Sequence, residues 1–144
     1  MDPFLFAALV FLSQATAPPA AMGGCTNEAL VGTWRMTKGT FGGNAIPLGP
    51  SDPVPMKQVT PTHFVMFTYE PAKKTFLYAH GGPFKATGAA YDESVEYGFG
   101  DSFAMVGGSK PHFQCQLTKD TWRISGQLSD GTALDETWTR APKP

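Results

Sequence analysis

Two glutamates are the residues of this sequence best suited to chemistry. Glu93 lies between Tyr91 and Tyr97 in a stretch of alternating residue types, and Glu136 has apolar residues two positions to either side. Because alternate side chains of a β-strand point to the same face, each glutamate shares a face with apolar or aromatic neighbours. A carboxylate in such surroundings needs a partner or takes up a proton. It can then bind a ligand, or act as a general acid or base.

The sequence offers few partners for these carboxylates: Arg35, Tyr97, one of the histidines or a bound ligand. The histidines are His63, His80 and His112, and they show neither His-x-His nor Glu-x-x-His spacing. Metal sites usually draw ligands from such spacings. We therefore interpret the histidines as core or rim residues and predict no metal site.

Other signatures of catalysis are missing from the sequence. There is no Gly-x-Ser-x-Gly motif, and the glycine pairs at 42–43, 81–82 and 107–108 end candidate strands without a following helix, unlike phosphate-binding loops. No catalytic residue and no cofactor are predicted. An enzymatic alternative uses Glu93 and Glu136 themselves, in a cofactor-free isomerase or cyclase.

The elements that must position these residues are short β-rich runs, recurring about every ten residues and separated by turn residues. Candidate strands span residues 30–38, 56–69, 75–81, 84–89, 91–98, 102–106, 112–118, 121–128 and 132–140. Hairpin turns are predicted at residues 70–74, 119–120 and 129–131. The pattern predicts an all-β fold, an antiparallel up-and-down β-barrel of about eight strands.

Two motifs near the ends of this region carry a family resemblance. Residues 30–35 contain Gly-Thr-Trp at the start of the first strand, and residues 137–140 read Thr-Trp-Thr-Arg. With residues 59–64 and 129–132, they make residues 28–140 similar to small exported bacterial lipocalin-like (calycin-like) domains of uncharacterised function. The resemblance implies that Trp34 plugs the closed end of the barrel and that Arg140 lies across its indole. Arg35 is the alternative basic residue for that role.

The N-terminus has the order of a secretory leader. Residues 4–12 are an apolar run that is too short to span a bilayer, and small residues follow it. We predict a signal segment at 1–24 and a single lipocalin-like barrel domain at 25–144. The protein is therefore expected to be secreted or periplasmic.

The two cysteines leave three alternatives open. Cys25 and Cys115 can form a disulfide, which an oxidising compartment allows. Residues 23–25 can instead be read as a lipobox, in which case Cys25 is acylated and tethers the protein to the cell envelope. Both thiols can also be free.

Charge and composition narrow the partners. The chain has 11 basic and 12 acidic residues, and one acidic residue, Asp2, lies in the predicted leader, so the mature chain carries no formal net charge. Without a basic stripe, nucleic acid is not an expected partner. The 11 phenylalanines can line a core or an apolar cavity. The oligomeric state is left open.

The predicted function is binding of a small apolar or amphipathic ligand in the barrel lumen. The alternative is a structural or protein-interaction module of the cell envelope with a filled barrel. The segment 41–48 is interpreted as a lid over the mouth. In residues 62–69, Phe64 and Met66 compete with Val65 and Phe67 for the inward face. The predicted ligand-binding residues are Phe67, Tyr78, Tyr91, Glu93, Tyr97 and Glu136.

Overall fold

The computed structural model describes residues 23–143, so most of the predicted signal segment, residues 1–22, lies outside the described residues. Within residues 23–143, eleven strands and two short helices follow one another. They are β1 (Cys25–Thr26), α1 (Asn27–Leu30), β2 (Gly32–Phe41), β3 (Asn44–Ala45), β4 (Val54–Val59), β5 (His63–Glu70), β6 (Thr75–Gly88), β7 (Ala90–Glu93), β8 (Tyr97–Phe99), α2 (Gly100–Val106), β9 (His112–Leu117), β10 (Thr121–Gln127) and β11 (Ala133–Arg140).

Eight of these strands close into a barrel. The order around the ring is β2, β4, β5, β6, β7, β9, β10 and β11, and β11 pairs with β2 to complete it. Every pairing in the ring is antiparallel, and ring neighbours follow each other along the chain. Strands β1, β3 and β8 add short pairings outside the ring. The predicted fold class, an all-β up-and-down barrel of about eight strands, is confirmed.

Strand boundaries differ from the prediction in three places. The candidate strand 91–98 is interrupted, because β7 ends at Glu93 and β8 begins at Tyr97. The candidate strand 56–69 is two strands, and the Thr60 hydroxyl accepts hydrogen bonds from the backbone N–H groups of Thr62 and His63 in the turn between them. The candidates 75–81 and 84–89 are the single strand β6. Glycine in this strand allows a close approach rather than a turn: a Cβ on Gly81 would lie 2.4 Å from the Phe64 carbonyl oxygen.

The predicted strand at 102–106 was wrong, because these residues belong to the helix α2. A five-residue apolar run does not distinguish a strand from a helical turn by periodicity alone. Phe103 and Val106 of α2 pack against the barrel core, and Gly100 begins the helix with a φ of 77°. A Cβ on Gly100 would lie 2.8 Å from the Tyr78 Cβ, so glycine lets the helix approach β6 closely.

One end of the barrel is filled with aromatic side chains. The rings of Trp34 and Trp122 lie 5.5 Å apart, and Tyr91 contacts Trp122 edge-on with a centroid distance of 5.0 Å. Trp138 and Phe64 are also completely buried. This cluster closes one end of the barrel.

Trp34 and Arg140 hold the first and last barrel strands together at the closed end. The guanidinium carbon of Arg140 lies 4.2 Å from the centroid of the Trp34 ring. The same guanidinium donates hydrogen bonds to the carbonyls of Ala29, Val31 and Lys119. Arg35, the alternative considered for this position, is exposed.

Cys25 and Cys115 form a disulfide in the structure, with Cα atoms 6.3 Å apart. The bond links β1 to β9, and the indole N–H of Trp122 donates to the Cys115 sulfur at 3.2 Å. Because its sulfur is in the bridge, Cys25 in this form is not free to be acylated. Neither described helix has the length and apolar character needed to cross a membrane.

Candidate functional site

A cavity of about 340 Å³ occupies the half of the lumen that the aromatic cluster leaves free. Its walls are mainly apolar, and include Met36, Met66 and Ile124 from the barrel strands. Two further lining residues, Asp101 and Met105 of α2, are exposed, so the cavity reaches the surface beside this helix. The volume lies at the lower end of the range of small-molecule sites, ~300–1,000 Å³.

The floor of the cavity holds a buried ion pair that the sequence did not predict. The ammonium nitrogen of Lys57 lies 3.0 Å from Oε1 of Glu93, and the two side chains are 3% and 5% exposed. The pair lies against the aromatic cluster. Ring centroids surround Nζ at 4.9 Å for Trp122, 5.0 Å for Trp138, 5.3 Å for Tyr91 and 5.5 Å for Phe64. Cation–π attraction from these rings offsets part of the cost of desolvating the ammonium group.

Tyr91 contributes a phenol ring to the floor of the cavity. Burial raises its pKa well above the usual value, and the negative charge of the neighbouring Glu93 adds to the shift. The hydroxyl makes no hydrogen bond of normal geometry, although it lies close enough to Glu93 for this effect. Tyr91 therefore stays protonated and acts as part of the aromatic floor.

Glu136 faces the cavity without an ion-pair partner. The residue is 8% exposed, and its Oε2 accepts a hydrogen bond of 3.0 Å from the indole N–H of Trp138. Within residues 23–143 its other oxygen, Oε1, has no hydrogen bond and the carboxylate has no salt bridge. Burial raises the pKa of Glu136, with Lys57 opposing the shift and Glu93 adding to it. Oε1 is thus a buried polar atom of the cavity with capacity for a ligand.

His80 links the cavity wall to α2. Its Nδ1 lies 3.0 Å from the Ser102 hydroxyl, and both residues line the cavity. Burial lowers the pKa of His80, while Glu93 works in the opposite direction. The imidazole is therefore neutral at physiological pH and can donate or accept one hydrogen bond on each side.

The predicted ligand-binding residues divide into two groups in the structure. Tyr78, Glu93 and Glu136 line the cavity, and Tyr91 lies in the floor beneath it. Phe67 and Tyr97 do not line it. The structure therefore brings together four of the six predicted residues.

Phe67 lies elsewhere because of the register of β5. Phe64 and Met66 take the inward face, and Phe67 contacts Phe76 on the outer face at a centroid distance of 5.3 Å. Tyr97 lies elsewhere because β7 ends at Glu93, so the period-two rule does not extend to it. Its ring is 44% exposed and packs over Gly81.

The segment 41–48, interpreted as a lid, contributes Phe41 and Ile46 to the cavity wall. Leu48 packs against the core beside them. Opposite this segment the wall is formed by α2, through Asp101, Ser102, Met105 and Val106. The mouth is thus bounded by two elements, and the sequence pattern indicated one of them.

Lys57 is a residue of the cavity that was not predicted from the sequence. In β4 it lies two positions from the buried Val59 and shares its face. This alternation is the sequence feature that indicates an inward position for Lys57. It does not by itself predict a buried lysine, because lysine is among the residues least often buried.

The remaining histidines take part in surface contacts. His63 Nδ1 lies 2.8 Å from the Thr62 hydroxyl, and His112 pairs with Asp92 at the surface. Among residues 23–143, no three His, Cys, Asp or Glu side chains are arranged to hold a metal ion.

Comparison with solved structures shows a similarity of fold. This chain shares the fold of designed β-barrels. A redesigned β-barrel superimposes with a TM-score of 0.52 at 18% identity, over 83% of this chain and 99% of that one. A de novo designed fluorescence-activating β-barrel gives a TM-score of 0.45 at 12% identity, over 80% of this chain and 96% of that one. No family model and no curated protein matches the sequence.

Proposed function

We propose that this protein binds a small amphipathic molecule in the barrel lumen. The observation that carries the proposal is the apolar cavity of about 340 Å³ with the unpaired carboxylate of Glu136 at its inner end. Apolar walls with a few convergent polar groups are the usual features of a small-molecule site. An apolar body would contact Met36, Met66 and Ile124, and a polar group would reach Glu136.

The cavity favours this function over the filled-barrel alternative. Aromatic side chains fill one end of the lumen, while the other end encloses an open cavity. A purely structural module would have no need for buried charges such as Lys57 and Glu93, which are costly to desolvate.

The enzymatic alternative rests on two features of Glu136: it faces the cavity, and burial raises its pKa. A general acid or base needs both features. The second carboxylate, Glu93, is already paired with Lys57, which leaves one free carboxylate and not two. Ligand binding needs only one free carboxylate in the cavity, whereas the enzymatic alternative uses two. We therefore propose binding as the function.

We further propose that the protein is an exported member of the lipocalin-like barrels. The disulfide between Cys25 and Cys115 supports an oxidising compartment. The stacking of Arg140 on Trp34 supports the family, because the resemblance implied that contact. With Cys25 bridged, the secreted or periplasmic form is preferred to the lipid-anchored one. The formal charge of the chain gives no support to a nucleic-acid partner.

The experiment is titration with a neutral solvatochromic dye, N-phenyl-1-naphthylamine, followed by its fluorescence. Leu134 lines the cavity, and Leu134→Trp should fill it and abolish saturable binding. Ala133→Trp is the matched control, because Ala133 is the exposed neighbour of Leu134 on the same strand. Equal binding by both variants, or no binding by the unmodified protein, would contradict the proposal.

Native mass spectrometry of protein exported by its own leader complements the titration. A mass excess that disappears on denaturation would give the mass of a bound ligand. An excess that survives denaturation and matches acylation would place a lipid on Cys25 instead.

A further inference from the structure

We propose that the ligand carries a primary or secondary ammonium group, which pairs with Glu136; this inference rests on the proposed lumen binding and names the class of ligand. The cavity would then select an aliphatic or aromatic amine over a fatty acid or a neutral alcohol.

The cavity has more acidic groups than basic partners for them. Within residues 23–143, the lining residues of acidic or basic type are Lys57, His80, Glu93, Asp101 and Glu136. Among these described residues Lys57 alone has a permanent positive charge, and it is neutralised by Glu93 at 3.0 Å. His80 is neutral, and neither Asp101 nor Glu136 forms a salt bridge within residues 23–143. A cation entering the cavity therefore complements its charge.

The position of Glu136 makes it the group that receives the cation. It lies at the inner end of the cavity, paired across the sheet with Ile124 and one alternation from the buried Trp138. A carboxylate that is 8% exposed and lacks a counter-charge is costly to keep ionised. A ligand ammonium in contact with Oε1 would supply that counter-charge. Charge-assisted hydrogen bonds of this kind are among the strongest in proteins.

An anionic ligand has no comparable partner. Lys57 Nζ is bonded to Glu93 and surrounded by four aromatic rings, so a ligand carboxylate would have to displace Glu93 from it. The displaced carboxylate would then lie buried near Glu136. Like charges in a buried site raise the energy of both groups, and fatty acids should bind weakly.

The free acceptor also predicts which amines bind best. Oε1 of Glu136 has no hydrogen bond within the described residues and can accept one from an N–H group. A quaternary ammonium has no N–H and a larger head, so it should bind more weakly than a primary amine of the same chain length.

Binding should also be linked to protons. Glu136 must be ionised to pair with an ammonium, and burial favours its protonated form in the empty cavity. The charged and titratable groups around it are Lys57 from β4, Tyr78 and His80 from β6, Tyr91 and Glu93 from β7, and Asp101 from α2. Asp135 on its own strand points to the outer face, where it pairs with Arg123. Because Lys57 and Glu93 neutralise each other, the ionisation of Glu136 dominates the pH dependence of binding. Amine binding should therefore release a proton, and the affinity for the amine should increase as pH rises through the pKa of Glu136.

The experiment is isothermal titration calorimetry with four probes of one chain length: octylamine, octyltrimethylammonium, octanol and octanoate. We expect octylamine to bind on the order of tenfold or more tightly than octanol, and octanoate to bind weakest. Glu136→Gln should reduce octylamine to the affinity of octanol and leave octanol unchanged. Glu28→Gln, an exposed glutamate in α1 outside the cavity, is the matched control and should keep the amine preference.

The outcomes separate this inference from the function it rests on. The amine inference is wrong, and lumen binding stands, if the neutral dye and octanol bind but octylamine binds no more tightly than octanol. The same conclusion follows if octylamine keeps its higher affinity in Glu136→Gln. If neither the dye nor any of the four probes binds, both are wrong. Titration in buffers of different ionisation enthalpy gives a second readout, since the predicted proton release must disappear in Glu136→Gln.

Discussion

The ammonium of Lys57 is bonded to the carboxylate of Glu93 inside the barrel, 3.0 Å from Nζ to Oε1. β4 supplies the lysine and β7 the glutamate, strands that are not neighbours in the sheet, so the pair crosses the lumen. It separates the aromatic end of the interior from the cavity. Its presence also decides the charge that a ligand meets, because it removes the cavity's one permanent cation from use.

Breaking this pair on one side should destabilise the fold strongly. Lys57→Met leaves the carboxylate of Glu93 buried without a counter-charge and should lower the free energy of unfolding by about 3–5 kcal/mol. The double variant Lys57→Met, Glu93→Gln removes both charges and should recover most of that loss. Urea unfolding of the two variants measures the difference. A double variant as unstable as the single one would show that lost packing, and not the unpaired charge, is the cause.

Removing the guanidinium of Arg140 should cost stability without affecting binding. Arg140→Ala loses the stacking on Trp34 and three hydrogen bonds to carbonyls, for an expected loss of about 2 kcal/mol in the free energy of unfolding. Arg35→Ala is the matched control and should change stability little, because Arg35 is exposed. Dye binding should be the same in both. Equal losses in the two variants would argue against the stacking role.

Loss of the disulfide should lower stability by about 4 kcal/mol, because the bridge closes a long loop in the unfolded chain. The two cysteines are 90 residues apart. Thermal unfolding of the double variant Cys25→Ser, Cys115→Ser measures the effect. Thiol titration of the denatured, unreduced protein is the control and should find no free thiol. Two reactive thiols there would mean that the bridge does not form.

Glu136→Gln should stabilise the ligand-free protein at neutral pH. Burial raises the folded-state pKa of Glu136 above its usual value of 4.5, so the protonated form is the one that folding favours. The stability that protonated Glu136 contributes is fully present below pH 4.5 and is lost as pH rises through the raised folded-state pKa. Glutamine is neutral and can still accept from Trp138, so the variant escapes this loss.

Chemical unfolding of both proteins across this pH range tests the sign. The stability difference between Glu136→Gln and the unmodified protein should be small at acid pH and should grow towards neutral pH. Parallel curves would mean that Glu136 has an ordinary pKa in the folded protein.

The contact between His80 and Ser102 should restrain α2. Ser102→Ala removes the 3.0 Å hydrogen bond to the imidazole, so local opening of residues 100–106 should become more frequent. Hydrogen exchange followed by mass spectrometry measures this, with the amides of β10 as the internal control. Unchanged exchange in α2 would show that packing of Phe103 and Val106 alone holds the helix.

The pH dependence of the same contact has a definite sign. The pKa of His80 is lowered in the folded protein, so its contribution to stability is present above the usual value of 6.5 and is lost as pH falls through the folded-state pKa. The protection of the α2 amides, which is the exchange rate corrected for its intrinsic pH dependence, should therefore decrease at acid pH. This loss of protection should be smaller in Ser102→Ala, where the helix is already released from the histidine.

Much of the barrel could be predicted from local patterns. Alternation placed Glu93 and Glu136 on inward faces, and both side chains are buried in the structure. The register of β5 could not be predicted, because Phe64 and Phe67 are equally apolar and a shift of one residue exchanges the faces. Pairing with β4 and β6 decides it, and these contacts are not encoded within the strand itself.

The sequence by itself determined the meander of strands and the inward carboxylates, because period-two alternation and turn residues act over a few neighbours. The contact between Trp34 and Arg140 was expected from the family resemblance and not from alternation. Tertiary structure alone decided that Lys57 is buried, that residues 100–106 form a helix and that part of the lumen is an open cavity. Each of these depends on groups brought together across the closed barrel. The charge on Lys57 is tolerated because Glu93 and four rings meet it there, and none of them is its neighbour in the chain.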